Sequence, residues 1–300
     1  MSVDILAMQA FNGLSLFTVL VLMALGLAIV FGLMGVINMA HGELMAMGAY
    51  TTYLTSVVFE RFIPGLLGVY LPVAILFAFA ITFSFGFLLE RGFIRFLYHR
   101  PLDTMLATWG LSLVLQQTYR TVFGPREVGV PSPSWLAGAW QPGGGISLPL
   151  SRIFIIGLTI GVGVAVYGLL FKTRWGLRIR AVTQNRAMSG AVGINTGKVD
   201  AVTFAVGSGL AGIAGSAFTM LASTGPVTGQ QYIVDTFIVV VFGGVESLLG
   251  TYLSAFAIGQ MQSWLEFGLT GSMAKATILL LVIVALYFRP NGLFAIKVRR

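Results

Sequence analysis

The 300-residue chain has no cysteine, only two histidines, and charge on just 9% of its residues. A typical soluble domain carries roughly 25% charged residues. Without cysteine there is no disulfide, no thiolate metal site and no thiol nucleophile. His41 and His99 lie in different parts of the chain, so a structural zinc site lacks a ligand set. Charge this sparse cannot cover the surface of a soluble fold, which excludes a soluble enzyme and a secreted disulfide scaffold. The chain has 18 Lys and Arg against 10 Asp and Glu, but they are scattered through apolar sequence. That is not the basic patch of a nucleic-acid binder. Asp4 is the only charge before Glu43. The basic region of a cleaved signal peptide is therefore missing, and the first apolar segment is expected to remain as a membrane helix.

What is present is hydrophobic: 57% of the chain, with a mean hydropathy of +0.90. These values describe an integral membrane protein. A crossing helix takes about 20 mostly apolar residues. The stretches between charges give candidates at 14–34, 44–59, 66–88, 104–123, 153–171, 201–222 and 276–288, and a longer run at 236–265. Nothing alternates with period two, so a barrel is excluded. The expected fold is an all-α polytopic bundle of eight or nine membrane segments, forming one transmembrane domain over 1–300.

Basic residues gather on the cytoplasmic side. Arg91, Arg95 and Arg100 form one group, Lys172, Arg174, Arg178, Arg180, Arg186 and Lys198 a second, and Arg289, Lys297, Arg299 and Arg300 a third. These three stretches are placed inside, and the Pro-, Gly- and Trp-containing segment 124–151 outside. The run at 236–265 must then dip in and return in fewer than the ~40 residues that two straight crossings need. Either 236–245 forms a half-helix that turns at Gly243-Gly244, or both limbs are short. Gly35–Glu43 is a similar interruption, with polar residues set among apolar ones. Broken helices near 35–45 and 236–248 form a weak internal repeat, and paired interruptions point to a substrate path in transporters. Asn38, His41, Glu43, Thr236 and Glu246 are the candidate path residues. Asn38 and Glu43 could instead cap a half-helix, and Asp235 could sit at the membrane surface at a helix start.

Two other motifs reduce to simpler readings. Gly207, Gly209 and Gly212 fit a dinucleotide fingerprint, but they lie inside an uncharged membrane stretch and read as helix-packing residues. Gly193–Lys198 lacks the spacing and the hydroxyl of a phosphate loop, so any ATP is expected on a partner. The loop 172–200 begins as a basic, lipid-anchoring stretch. It continues with Ala181, Gln184, Asn185, Ala187 and Gly190, small and uncharged residues suited to a groove on a partner.

Gly35-Val36-Ile37-Asn38-Met39-Ala40-His41-Gly42-Glu43 and Val192-Gly193-Ile194-Asn195-Thr196 resemble the permeases of branched-chain amino acid and urea ABC importers. So do Phe242-Gly243-Gly244-Val245 and Arg289-Pro290-Asn291-Gly292-Leu293-Phe294, and the likeness runs over essentially the whole chain. Within that family, Arg100–Ser112, Gln116-Gln117 and Tyr232–Phe237 look most like the urea permease. Glu246 departs from the family pattern. The resemblance implies a bacterial inner-membrane subunit that binds no cofactor and pairs with a second permease in a heterodimer. It implies two ATP-binding subunits carrying ATP and Mg, and an external substrate-binding protein. It also implies that Ala181–Asn195, with Gly193 and Asn195 at its end, couples to an ATPase, and that the cargo is urea, with branched-chain amino acids or short amides as the alternative.

Overall fold

The computed structural model describes residues 3–98, 100–143 and 146–294. His99, Lys297, Arg299 and Arg300 lie outside the described residues. Among the described residues the chain is helical apart from one hairpin and its connecting loops. Helix α1 (Val3–Leu27) continues as a π-helical turn, Ala28–Leu33. Then come α2 (His41–Phe62), α3 (Tyr70–Gly92), α4 (Pro101–Phe123) and the hairpin β1 (Ala139–Gly143) and β2 (Ile146–Pro149). Helix α5 (Leu150–Lys172) leads into two short helices, α6 (Arg174–Gln184) and α7 (Arg186–Ala191). Helices α8 (Thr196–Phe218), α9 (Thr228–Gly243), α10 (Leu248–Gly268) and α11 (Gly271–Phe288) complete the bundle. Nine of these helices have 16 to 25 residues, in line with the eight or nine segments expected.

Helices α1 and α8 hold the centre. In their most apolar stretches 78% and 83% of residues are buried, against 28% in α5 and 17% in α11. Helices α5 and α11 therefore lie at the outside of the bundle, with Ile160, Val164, Leu280 and Ile283 exposed. Lipid is as apolar as leucine, so α8 is held by close backbone approach rather than by escape from water. Gly207 lies against the backbone of Gly26, Gly212 against that of Gly48 and Ala78, and Gly215 against that of Met45. A valine at any of these would strike a backbone atom.

Direction follows from the contacts. Ser263 of α10 donates to the Gln9 carbonyl, Gln260 donates to that of Ala10, and Val245 meets Gly32. Helix α10 leaves the cytoplasm and α1 is antiparallel to it, so α1 starts outside and ends at the cytoplasmic face. Every basic stretch within the described residues then falls inside, as the charge distribution requires.

The expectation for 236–265 needs correction. Helix α9 begins at Thr228, not Thr236, so it crosses in 16 residues and α10 returns in 21. Asp235 is no surface boundary. It sits inside α9 and pairs with Lys275 of α11 at 2.7 Å. A neutralised carboxylate does not end a span. The second break is thus a tight turn at 244–247, at the cytoplasmic face. Gly244 takes φ +102°, and Ser247 caps α10 by accepting from the Gly250 amide at 3.0 Å. Leu293 and Phe294 donate to the carbonyls of Phe242 and Gly243, so the segment after α11 closes over the turn.

Candidate functional site

The first break is built differently. Helix α1 reaches the cytoplasmic face at Leu33, whose carbonyl accepts from Thr183 of α6 at 2.9 Å. Gly35 turns the chain in a left-handed conformation, φ +69°, open to an L side chain only with strain. Residues 35–40 then climb back without helical structure, and α2 begins inside the membrane. The His41 ring lies 3.3 Å from the Met23 carbonyl, ten residues and about 15 Å inward of the helix end.

Non-helical backbone at this depth must find partners from protein. The Asn38 carboxamide oxygen accepts from the Ala40 amide at 3.0 Å, and the Thr108 hydroxyl accepts from the Met39 amide at 3.0 Å. Asn38 therefore satisfies backbone just before α2, although no side chain caps the helix itself. Glu43 does neither. It is in the first turn of α2, where the helix dipole favours an anion, but its Oε1 accepts from Ser112 at 3.1 Å and Gln116 at 3.0 Å. Tyr119 donates to the Glu43 carbonyl at 2.8 Å. Asn38, His41 and Glu43 are all buried. Among the described residues six buried side-chain polar atoms lack a hydrogen-bond partner, and four belong to Asn38, His41, Glu43 and Tyr50. Buried polar groups are nearly always satisfied, so this concentration marks a place where hydrogen-bonding capacity is held in reserve.

Of the other path candidates, Thr236 is fully buried in the middle of α9. Its hydroxyl donates to the Tyr232 carbonyl at 2.7 Å and lies 3.6 Å from the Met23 sulfur. Met23 thus joins Thr236 to His41. Glu246 is exposed at the cytoplasmic turn and does not join them. Thr108, Ser112, Gln116 and Tyr119 were not singled out from the sequence as site residues. The signal was there: polar residues at four-residue spacing along α4 share one face.

A cytoplasmic cavity of about 360 Å³ lies under the break, walled by Met34–Ile37, Thr104, Thr183, Tyr98, Arg186 and Asp200. Its wall is shared with the predicted coupling segment. Arg186 pairs with Asp200 of α8 at 2.5 Å and stacks over Tyr98 at 5.5 Å, and Tyr98 donates to Glu90 of α3 at 2.7 Å. Burial, and then the Glu90 carboxylate, pushes the Tyr98 phenol above its ordinary value, so it stays a proton donor. Asn185 and Asn195 cap α7 and α8 by accepting from the amides of Met188 and Lys198, each at 2.9 Å. Gly193 takes φ +87° between them. Ala181 is half-buried, while Gln184, Ala187 and Gly190 face out. Beside them Met188 and Val192, 60% and 68% exposed, offer an apolar contact surface.

The family model described as branched-chain amino acid transport system / permease component matches residues 9–286. The high-affinity branched-chain amino acid transport system permease protein LivH of Salmonella typhimurium is 26% identical over 293 residues, 95% of this chain and 94% of the relative. BraD of Pseudomonas aeruginosa, named as a permease of the same kind, is 28% identical over 301 residues, with 95% and 94% covered. The ribose import permease protein RbsC of Escherichia coli is 26% identical over 170 residues, 53% of this chain and 46% of the relative. No solved structure matches the chain.

Proposed function

This chain belongs to the family of permease components of branched-chain amino acid transport systems, and on that premise we propose that it is the channel subunit of an ATP-driven urea importer. It is a multi-pass protein of the bacterial inner membrane. The observation that carries urea is the α4 face. Thr108, Ser112 and Gln116 lie in or beside the stretches most similar to the urea permease, and they are the residues bonded to the Asn38–Glu43 break. Urea is small and neutral, with both donors and acceptors, so hydroxyls and a carboxamide along a narrow path meet its needs without a dedicated ion pair.

Nucleotide binding in two partner ATPases draws on α6 and α7. Two bonds carry that motion inward. Thr183 holds the carbonyl of Leu33, directly before the break, and Arg186 holds Asp200 at the start of α8. Displacing them moves the wall of the cytoplasmic cavity and frees residues 34–40 to rearrange around Asn38, His41 and Glu43. A second permease chain and an external binding protein complete the importer. ATP and Mg belong to the partners.

A second reading, import of branched-chain amino acids, is favoured by the family match and by LivH and BraD. Uptake of labelled urea and labelled leucine by nitrogen-starved cells lacking only this gene separates the two. Loss of urea uptake with leucine intact is the expected result. Loss of leucine uptake alone moves the cargo to amino acids, and no change in either overturns both.

A further inference from the structure

The sequence gives no sign of a second cavity, of about 500 Å³, at the outer end of the bundle among α1, α5, α9, α10 and α11. Four charged residues from four different helices line it: Arg152, Asp235, Glu266 and Lys275. The two cations balance the two carboxylates, so the site has no net charge but is dense in donors and acceptors. Lys275 pairs with Asp235 and lies 5.6 Å over the Tyr232 ring. Arg152 donates to Asn12 at 2.5 Å, and Gln262 donates to Glu266 at 2.9 Å. These bonds hold each charge in place while leaving capacity free: further N–H groups on Arg152 and Lys275, and a second oxygen on each carboxylate.

The position of the cavity matters as much as its lining. Its inner end reaches Val19 and Leu20 of α1 and Asp235 of α9. About one helical turn inward of Val19 lies Met23, in contact with Thr236, the residue after Asp235, and His41 bonds Met23 from beneath. The cavity thus ends within about one turn of the contact that separates it from the Asn38–Glu43 break. Its volume is that of a small-molecule site, and its walls mix apolar side chains with a few fixed polar groups, as such sites do.

We propose that this outer cavity is a binding site for the incoming solute, and that it selects small molecules with no net charge that both donate and accept hydrogen bonds. Urea fits by giving N–H groups to Asp235 and Glu266 and taking one from Arg152 or Lys275 at its carbonyl. A zwitterionic amino acid would use the same groups, its ammonium donating to the carboxylates and its carboxylate accepting from Arg152 or Lys275. An ion of either sign gains nothing from a neutral site. The choice of urea over the amino acid rests on the function proposed above, whereas the site itself does not.

The chain has no cysteine, so one introduced thiol reports on it alone. Ala222 lines the cavity and is exposed, and Ala222→Cys adds one sulfur. The assembled permease–ATPase complex carrying it is treated in proteoliposomes with a membrane-impermeant maleimide, and this chain is read by mass spectrometry. Urea is expected to slow labelling at least fivefold, and leucine and ammonium not to. Asp235→Asn and Glu266→Gln, checked for assembly by size exclusion, are expected to raise the urea concentration giving half-protection at least tenfold. Protection by leucine instead upholds the cavity and overturns urea as cargo. ATP-driven uptake of either solute with no protection by it, and with unchanged half-saturation in both variants, overturns the cavity while leaving the transport function standing.

Discussion

The two interruptions look alike in sequence and differ in what they do. Both bring glycines into backbone contact, Gly42 against Gly229 at the first and Gly243 against Gly250 at the second. At the first, six residues cross the inner half of the membrane without helical structure, and polar side chains from α2 and α4 gather around them. At the second, four residues turn at the cytoplasmic face, only Glu246 of them exposed, and the segment after α11 seals the turn with two backbone bonds. A break inside the bilayer needs protein partners and gains a polar interior, while a break at its surface needs neither. Depth, not the presence of a glycine and a carboxylate, separates a path from a loop.

The largest effect should leave the two breaks equal. A valine at Gly42 or at Gly243 would press on a facing carbonyl that belongs to backbone and cannot step aside. Overpacking costs about 1–3 kcal/mol where side chains can shift and more where they cannot. We expect Gly42→Val and Gly243→Val both to abolish assembled complex, measured as recovered material after detergent extraction. Normal recovery of either would mean that the close approach there is dispensable.

The carboxylates should then divide the breaks. Glu43→Ala removes the acceptor of Ser112 and one of the two acceptors of Gln116, at about 1–3 kcal/mol for an unsatisfied buried group. Uptake is expected to fall at least about tenfold, equivalent to ~1.4 kcal/mol. Glu246→Ala removes an exposed side chain, and uptake should stay within about twofold. Equal losses would restore the symmetry suggested by the sequence and would place Glu246 in the path.

How far the sequence could be read follows from the same contrast. The first break was legible because Asn38, His41 and Glu43 are expensive in an apolar run, and expensive residues announce themselves. The positive-inside pattern gave the direction of the helices. A carboxylate at 235 reads locally as a boundary before Thr236, and the pairing of Asp235 with Lys275, forty positions away, is invisible to local reading. The outer cavity was missed for the same reason, since its four charges come from four helices. The α4 ladder lay between these cases: the spacing of Thr104, Thr108, Ser112 and Gln116 was visible, but not the break that it faces.

Coupling should also reach only one break. Arg186→Gln removes a cation from the buried Asp200 carboxylate and from the wall of the cytoplasmic cavity. Because the Arg186 side chain is 45% exposed, the cost is well below that of a fully buried pair, about 1 kcal/mol. Uptake per ATP hydrolysed is expected to fall about fivefold, with ATP hydrolysis retained. Arg289→Gln, beside the second break, should leave that ratio unchanged. A matching fall at Arg289 would show that the turn at 244–247 also carries motion.

The smallest effect tests why each break has its glycine. At Gly35 the requirement is conformational alone: φ is +69° and the space beside it is open. Alanine there should cost about 1–2 kcal/mol, the penalty of the left-handed region. Asparagine, which tolerates that region, should recover at least half of the loss in thermal unfolding of the solubilised complex. At Gly292 φ is +85°, but the backbone of Gly244 also lies where a side chain would go. Asparagine relieves the first constraint and not the second, so Gly292→Asn should be no better than Gly292→Ala. Rescue at position 35 without rescue at 292 is the outcome that separates a free left-handed turn in the path from a packed one at the surface, and rescue at both would remove that distinction.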